Sequence, residues 1–176
     1  QKKSKEEATE IAIAALKRKE IGRIILTRPV VEAGENLGFL PGTLDEKIDP
    51  YVRPLYDALY DMTDMEKGNQ LISQGVIEIA PLAFMRGRTF LKKFVIIDEA
   101  QNLSPKQMKT LITRAGPGTK IVCLGNIAQI DTPYLTEGSS GLTYVVERFQ
   151  GWPHAATITL TRGERSRLAD FATEVL

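Results

Sequence analysis

Phe94-Val95-Ile96-Ile97-Asp98-Glu99-Ala100-Gln101 is the stretch that decides the fold, because an apolar run ends there at two adjacent carboxylates. The apolar residues predict a strand that is buried on both faces. Asp98 would then lie at the carboxyl end of that strand, where open α/β sheets bind their ligands. If the strand geometry continued, Glu99 would point away from Asp98, so that one acid could hold hydrated Mg²⁺ while the other polarised a water. The alternative is a strand that ends in two solvated acids.

Composition limits the classes of protein to consider. The chain has 176 residues, 43% of them hydrophobic and 26% charged, with a net charge of +1. This length predicts one domain that buries a core without disulfides, and the near-neutral charge restricts any nucleic-acid site to a local patch. A single cysteine, Cys123, and a single histidine exclude a zinc site and a Cys-His nucleophile. Because no apolar run approaches about 18 residues and no signal peptide is recognisable, we expect a cytoplasmic protein without a membrane segment.

Short apolar strands alternate with helical patterns along the chain. This alternation predicts a single domain over residues 1–176 with an α/β fold, in which helices cover both faces of a mainly parallel sheet in three layers. The Gly- and Pro-rich segment from Val30 to Pro50 is expected to be a long functional loop. The predicted strands are Arg23 to Thr27, Val76 to Ala80, Phe94 to Ile97, Ile121 to Leu124 and Thr157 to Leu160. The predicted helices are Ser4 to Lys19, one opened by Asp49-Pro50, one capped by Ser104 with a buried stripe that runs to Ala115, one carrying Leu142 to Phe149, and Arg165 to Leu176.

Polar residues follow most of these strands. Because right-handed crossovers bring the loops after parallel strands to one edge of the sheet, we expect these residues to converge there. Asn126 and Gln129 could sense a γ-phosphate through their amides, or they could simply close a turn. The arginines could stabilise charge that develops on that phosphate, or they could form a solvated rim. The set comprises Thr27, Arg28, Arg86, Arg88, Asp98, Glu99, Gln101, Asn126, Gln129, Arg162 and Arg165.

Five motifs in this order resemble the PhoH family, a group of P-loop NTPases with a RecA-like domain related to superfamily 1 helicases. The resemblance covers nearly the whole chain. Gly125-Asn126 and the tail from Arg162 to Asp170 are more similar to the branch in which this domain follows a PIN nuclease domain. The motifs are Ile25-Leu26-Thr27-Arg28-Pro29, Leu37-Gly38-Phe39-Leu40-Pro41-Gly42, Ala83-Phe84-Met85-Arg86-Gly87-Arg88-Thr89, Ile97-Asp98-Glu99-Ala100-Gln101-Asn102 and Gly125-Asn126-Ile127-Ala128-Gln129-Ile130-Asp131.

The resemblance implies binding and hydrolysis of ATP with Mg²⁺. Asp98 is then expected to hold the metal, Glu99 to orient the attacking water and Gln101 to sense the γ-phosphate. It also implies a homo-oligomeric ring, in which Arg162 or Arg165 of one subunit reaches the nucleotide of the next, and a role in RNA metabolism. Arg86 and Arg88 are the second choice for that arginine.

The phosphate-binding motif G-x-x-x-x-G-K-[ST] is absent from the sequence. Lys3-Ser4 occupies the place of its last two residues, where the lysine would bind phosphate and the serine would bind phosphate and metal. Gln1-Lys2 stands in place of the glycines whose backbone amides cradle phosphate. The alternative, which we favour for this sequence, is Ser4 as a helix cap beside solvated lysines, including Lys5.

We therefore expect that residues before Gln1 supply a strand and the phosphate loop. In this expectation the added strand lies in the middle of the sheet, next to the strand that ends at Asp98. A second function remains open: a nucleotide-independent RNA-binding or assembly module that keeps the fold. Arg53 and the nearby Tyr51, Tyr56 and Tyr60 could then contact single-stranded RNA, although helix-face tyrosines are more often core residues.

Overall fold

The computed structural model describes residues 2–31, 42–161 and 166–176. These residues form four strands and six helices, with two short 3-10 turns at Leu82–Met85 and Ala100–Asn102. The strands are β1 (Arg23–Arg28), β2 (Ile77–Pro81), β3 (Lys93–Ile97) and β4 (Lys120–Cys123). The helices are α1 (Lys2–Lys17), α2 (Leu44–Met62), α3 (Met65–Ser73), α4 (Pro105–Ile112), α5 (Gly141–Arg148) and α6 (Arg167–Val175).

All pairings in the described sheet are parallel, and the strand order is β2-β1-β3-β4. Leu26 of β1 stands between Ile79 of β2 and Ile96 of β3, which fixes the register. Ile97, the last residue of β3, stands beside Cys123, the last residue of β4. The carboxyl ends of these two strands are therefore level at one edge of the sheet.

Two hydrophobic cores lie on opposite faces of the sheet. Ile96 belongs to the first core, which also takes in Ala12 of α1 and Leu59 of α2. Its neighbour Ile97 belongs to the second core, together with Met108 of α4. Because successive side chains of a strand point to opposite faces, this division confirms that β3 is buried on both sides and that the fold is a three-layer α/β fold. Cys123 packs against the second core, and burial raises the pKa of its thiol to about 11.

The fifth predicted strand is not formed. Residues 157–160 have no strand conformation, and Ile158 and Leu160 are 85% and 70% exposed. A strand is stabilised by its ladder, and neither edge strand of the described sheet, β2 or β4, pairs with this segment. The helix α6 forms as predicted, but its apolar face is also exposed, with Leu168 at 77%. β-propensity alone did not form a strand without a pairing partner, whereas helical periodicity predicted α6 correctly because a helix makes its backbone hydrogen bonds within itself.

The expected place for an additional strand was also wrong. Both neighbours of β3 are present, since β1 pairs with one side and β4 with the other. No gap beside the strand that ends at Asp98 is left to fill. The alternation of strands and helices along the sequence predicts parallel strands but does not determine their order in the sheet. The expectation failed for this reason.

Several helix boundaries differ from the predicted ones. The helix α1 begins at Lys2, so Ser4 lies inside its first turn and is not its N-cap. The helix α2 begins at Leu44, so Pro50 lies inside it and the end of the Val30 to Pro50 segment is helical, while residues 32–41 of that segment lie outside the described residues. Pro50 had suggested a helix start, because proline is common in a first turn.

Two further helices show what capping residues do and do not reveal. The helix α3 was not predicted, although Asp64 caps it by accepting a hydrogen bond from the Lys67 amide at 2.7 Å. The predicted cap of α4 is confirmed as a capping box between Ser104 and Gln107. That helix ends at Ile112, so Ala115 is exposed and does not extend its buried stripe. None of the helices in the described ranges is long and apolar enough to span a bilayer.

Candidate active site at the carboxyl ends of β3 and β4

Asp98 follows the last residue of β3 and is 1% exposed. Its backbone amide donates to the Thr27 carbonyl at 2.8 Å, which extends the pairing with β1 by one residue. Its Oδ2 atom accepts no hydrogen bond from the described residues, but the Lys5 ammonium lies 2.9 Å away as an ion pair. A buried carboxylate needs a compensating cation, and here α1 provides one. Lys5 had been expected to be solvated, and its side chain is only 14% exposed.

Glu99 does not continue the strand. Its φ of 54° and ψ of 36° are left-handed, so the alternation that would have turned it away from Asp98 ends at Ile97. The direction of its side chain is set by two contacts instead. Its Oε2 accepts a hydrogen bond from Gln101 Nε2 at 2.5 Å, and its Oε1 lies 3.9 Å from Arg28 Nη2. A non-glycine residue with this conformation is uncommon, and such residues are concentrated at functional sites.

Gln101 is fully buried and joins Glu99 to the loop after β4. Its Nε2 donates to Glu99 and to the Gln129 carbonyl at 3.0 Å, while its Oε1 accepts from the Asn126 amide at 3.3 Å. Both ends of the amide are therefore occupied, which fixes its orientation. Gln101 acts here as a positioning residue that holds the second acid against the loop carrying Asn126.

The loop after β4 is held close to this amide. Glycine at position 125 permits this close approach, because an added Cβ would lie 2.7 Å from Gln101 Oε1 and 2.8 Å from Leu142 Cδ2. Asn126 closes the following turn by accepting the Ala128 amide on its Oδ1 at 3.0 Å. The Gln129 amide donates to the Asn126 carbonyl at 2.9 Å. The structure thus links the backbones of Asn126 and Gln129 to the Gln101 amide, and the Asn126 side chain closes a turn.

Two site residues were missed by the sequence analysis. Asn102 is buried, and its Oδ1 accepts from the Asp131 amide at 2.8 Å and from the Thr132 amide at 3.2 Å. Ser140 caps α5 and donates its hydroxyl to the Gln101 carbonyl at 2.8 Å. Together they fasten the loop over residues 126–140 to the 3-10 turn that follows the acids. The signal for Ser140 was its place before the α5 pattern, but nothing local indicated its partner.

Thr27 and Arg28 end β1 beside the acids. Thr27 is fully buried, and its hydroxyl has no hydrogen-bond partner among the described residues. By strand alternation it shares the face of Ile25, which is in the second core, whereas Asp98 shares the face of Ile96 in the first core. Arg28 lies on the face of Asp98, and its guanidinium approaches Glu99.

The arginines after β2 are not drawn into this cluster. Arg88 forms a two-pronged ion pair with Glu78, with N–O distances of 2.6 and 2.8 Å. Glu78 stands opposite Ile25, near the start of β2, and therefore away from the carboxyl edge. The Arg88 guanidinium lowers the pKa of the Glu78 carboxyl, because its hydrogen bonds stabilise the ionised form. Arg86 is exposed.

Four other predicted residues have side chains outside the described part of the structure. Lys3 and Ser4 lie in the first turn of α1, and only their backbone is described. Arg162 and Arg165 lie outside the described residues.

The Asp98 carboxylate is a ligand of the kind that Mg²⁺ takes in proteins. No group of three or more potential ligand residues occurs within residues 2–31, 42–161 and 166–176. Asp98 offers a single buried carboxylate oxygen that accepts no hydrogen bond from those residues. Mg²⁺ keeps several waters and takes one or two carboxylates in proteins that bind phosphates. The residues present therefore fit this ion.

Comparison with known proteins adds to this geometry. The family described as PhoH-like protein matches residues 7–174. The chain belongs to the PhoH family. A PhoH-like protein of Mycobacterium tuberculosis H37Rv is 55% identical over 159 residues, which are 89% of this chain and 45% of that protein. A PhoH-like protein of Bacillus subtilis 168 is 54% identical over 140 residues, covering 80% of this chain and 43% of that protein.

A more distant relative is the protein PhoH of Escherichia coli K12, which is 45% identical over 141 residues, or 79% of this chain and 39% of that protein. The PhoH-family chain thus spans less than half the length of these relatives. The resemblance seen in the five motifs is confirmed, and with it a family of the P-loop NTPase type and an α/β fold.

Proposed function

We propose that this chain is part of an ATPase that binds and hydrolyses ATP with Mg²⁺. The observation that carries the proposal is the buried Asp98 carboxylate beside the hydrogen-bonded cluster of Glu99, Gln101 and the Asn126 backbone, at the level ends of β3 and β4. Bound Mg²⁺ would neutralise charge on the phosphates during transfer. Asp98 would hold the ion, and Glu99 would orient a water for attack. Arg28 would add positive charge beside Glu99.

The arrangement explains how Glu99 could be held for this task. General base catalysis needs a carboxylate at a fixed position, because a small displacement of the base lowers the reaction rate. The left-handed backbone of Glu99 aims it, and the Gln101 amide holds one oxygen. Gln101 is itself tied to the loop of Asn126 and Gln129, so a change at that loop would reach the acid. From this connection we infer that Gln101, Asn126 and Gln129 sense the γ-phosphate and act on Glu99.

The test is Mg²⁺-dependent ATP hydrolysis by the full-length protein that contains this chain. Glu99→Gln is expected to lower kcat by at least about a hundredfold, because the substitution removes the base but keeps the shape. Asp98→Asn is expected to weaken the dependence on Mg²⁺. Glu147→Gln, at an exposed position of α5, is the matched control and should keep the parent rate. Turnover at the parent rate in Glu99→Gln would remove Glu99 from the proposed role.

We also propose that the phosphate loop and a further strand are supplied by a part of the protein outside these 176 residues. Support comes from β4, whose outer edge carries no strand among the described residues, and from the exposed apolar segment 157–160. Lys3 and Ser4 would then complete the phosphate and metal contacts. ATP binding by the full-length protein but not by this chain is the expected result. Equal binding by both would contradict it.

A coupling to RNA and assembly into a homo-oligomeric ring are further parts of the proposal. Family membership supports them, since these properties are implied by the resemblance. For the coupling to RNA, we expect single-stranded RNA to stimulate ATP hydrolysis.

For the ring, mixing Glu99→Gln subunits with Arg162→Ala or Arg165→Ala subunits should restore turnover if either arginine acts in the neighbouring site. RNA binding without any nucleotide binding would favour the alternative of a nucleotide-independent module, whose proposed contact Arg53 is ion-paired with Asp49.

A further inference from the structure

Lys5 is held in an unusual environment for a lysine near a helix start. Its side chain is 14% exposed, and its ammonium lies 2.9 Å from Asp98 Oδ2, whose side chain is 2% exposed. Lysines are rarely buried to this extent unless they are paired. The other charged partner near this edge, Arg28, approaches Glu99 instead. Lys5 is thus the cation that compensates Asp98 in the described structure.

The oxygen contacted by Lys5 is also the one with no hydrogen bond from the described residues. It is therefore an oxygen at which the ammonium and a metal ion would compete. Two cations cannot both lie in contact with one buried oxygen, because their mutual repulsion is strong where water does not screen it. A metal ion that binds Asp98 must displace the ammonium or share the carboxylate at a cost.

We propose that Lys5 is a built-in competitor of the divalent cation at Asp98. The ammonium occupies Oδ2 when no metal is bound, keeps the buried carboxylate neutralised and withdraws when the ion enters. The long, flexible side chain of lysine permits this withdrawal without a shift of α1. The inference rests on the proposed metal role of Asp98, and it makes Lys5 a residue that sets metal affinity.

The test measures binding of Mn²⁺, used as a paramagnetic substitute for Mg²⁺, to the nucleotide-free protein. Lys5→Gln and Lys5→Met are expected to bind Mn²⁺ at least about tenfold more tightly than the parent, since the competing charge is gone. The glutamine variant can still donate a hydrogen bond to Asp98, which protects folding if the methionine variant fails. Lys17→Met is the matched control, an exposed lysine on the same helix, and should bind Mn²⁺ as the parent does. Asp98→Asn should lose the site in all backgrounds.

Unchanged or weaker Mn²⁺ binding in Lys5→Gln overturns the inference, and so does the absence of Mn²⁺ binding in every variant. Nucleotide binding by the full-length protein, measured in parallel with a fluorescent ATP analogue and Mg²⁺, separates this result from the proposed function. Tighter Mn²⁺ binding without nucleotide binding would support the role of Lys5 and contradict the ATPase. Nucleotide binding with unchanged Mn²⁺ affinity would contradict the role of Lys5 alone.

Discussion

At the scale of single residues, the site depends on how closely the loop after β4 approaches the turn after β3. Gln101 is fully buried and has polar partners on both ends of its amide. A buried amide without hydrogen-bond partners lowers stability by about 1–3 kcal/mol. The network therefore favours this position of the loop over others that would break its hydrogen bonds. Gly125 permits that arrangement because a side chain there would overlap Gln101.

Gly125→Ala is expected to destabilise the protein by about 1–3 kcal/mol, because the new methyl group must push Gln101 or Leu142 aside. Gly138→Ala is the matched control, since a Cβ there meets nothing within 4 Å. Urea denaturation of both variants and the parent measures the difference. Equal stabilities of the two variants would show that the loop can move away from Gln101 without cost.

At the scale of elements, β2 is tied to the turn that follows it by the Arg88–Glu78 ion pair. Both side chains are about 30% exposed, so water weakens the pair, and its contribution should not exceed about 1 kcal/mol. The hydrogen bonds from Arg88 lower the pKa of Glu78 in the folded state. Arg88 therefore has a structural partner, which accounts for its absence from the cluster around Asp98.

This pair predicts a pH dependence with a definite sign. A carboxyl group whose pKa is lowered in the folded state stabilises the protein at pH values above its ordinary pKa of 4.5. This stabilisation is lost as the pH falls through the pKa of the folded state. The free energy of unfolding of the parent should exceed that of Glu78→Gln at neutral pH and approach it in acid. Arg88→Gln should give the same profile. A difference that stays constant from neutral to acid pH would contradict this account.

At the scale of the whole molecule, the described sheet ends at β4, and an apolar surface lies uncovered. Ile158 and Leu160 follow α5, and Leu168 and Phe171 belong to α6, and all of them are exposed. A contiguous exposed apolar patch usually marks a contact surface, and we expect these side chains to contribute to one in the full-length protein. In the proposed full-length protein, the additional strand would pair with the outer edge of β4 and cover part of this surface.

Ile158→Asp is expected to change the stability of the 176-residue chain by no more than about 0.5 kcal/mol, because the side chain is 85% exposed. In the full-length protein the same substitution should cost about 2 kcal/mol or more, since it would bury a charge without a partner. Thermal unfolding of the two proteins with and without the substitution provides the comparison. A small effect in both would argue against a strand at this edge.

The sequence predicted those parts of the fold whose signals are local. The apolar run before Asp98 predicted β3, and the Ser104-Pro105 pair with Gln107 predicted the start of α4, because strand burial and helix capping depend on neighbouring residues. The short helix α3 was missed since Gly68 and Asn69 lower its helical propensity. Gly68 lies close to α2, as an added Cβ would lie 3.0 Å from the Tyr60 ring.

By itself, then, the sequence determined the family, the alternation of strands and helices, and the convergence of Asp98, Glu99 and Gln101 at the end of one buried strand. Only the tertiary structure decided the strand order, the left-handed turn at Glu99, the backbone links from Gln101 to the loop of Asn126, and the pairing of Lys5 with Asp98. The physical reason is range. Periodicity, capping and motif spacing act between residues close in the chain, whereas ladders, ion pairs and close approaches join residues that lie far apart in it.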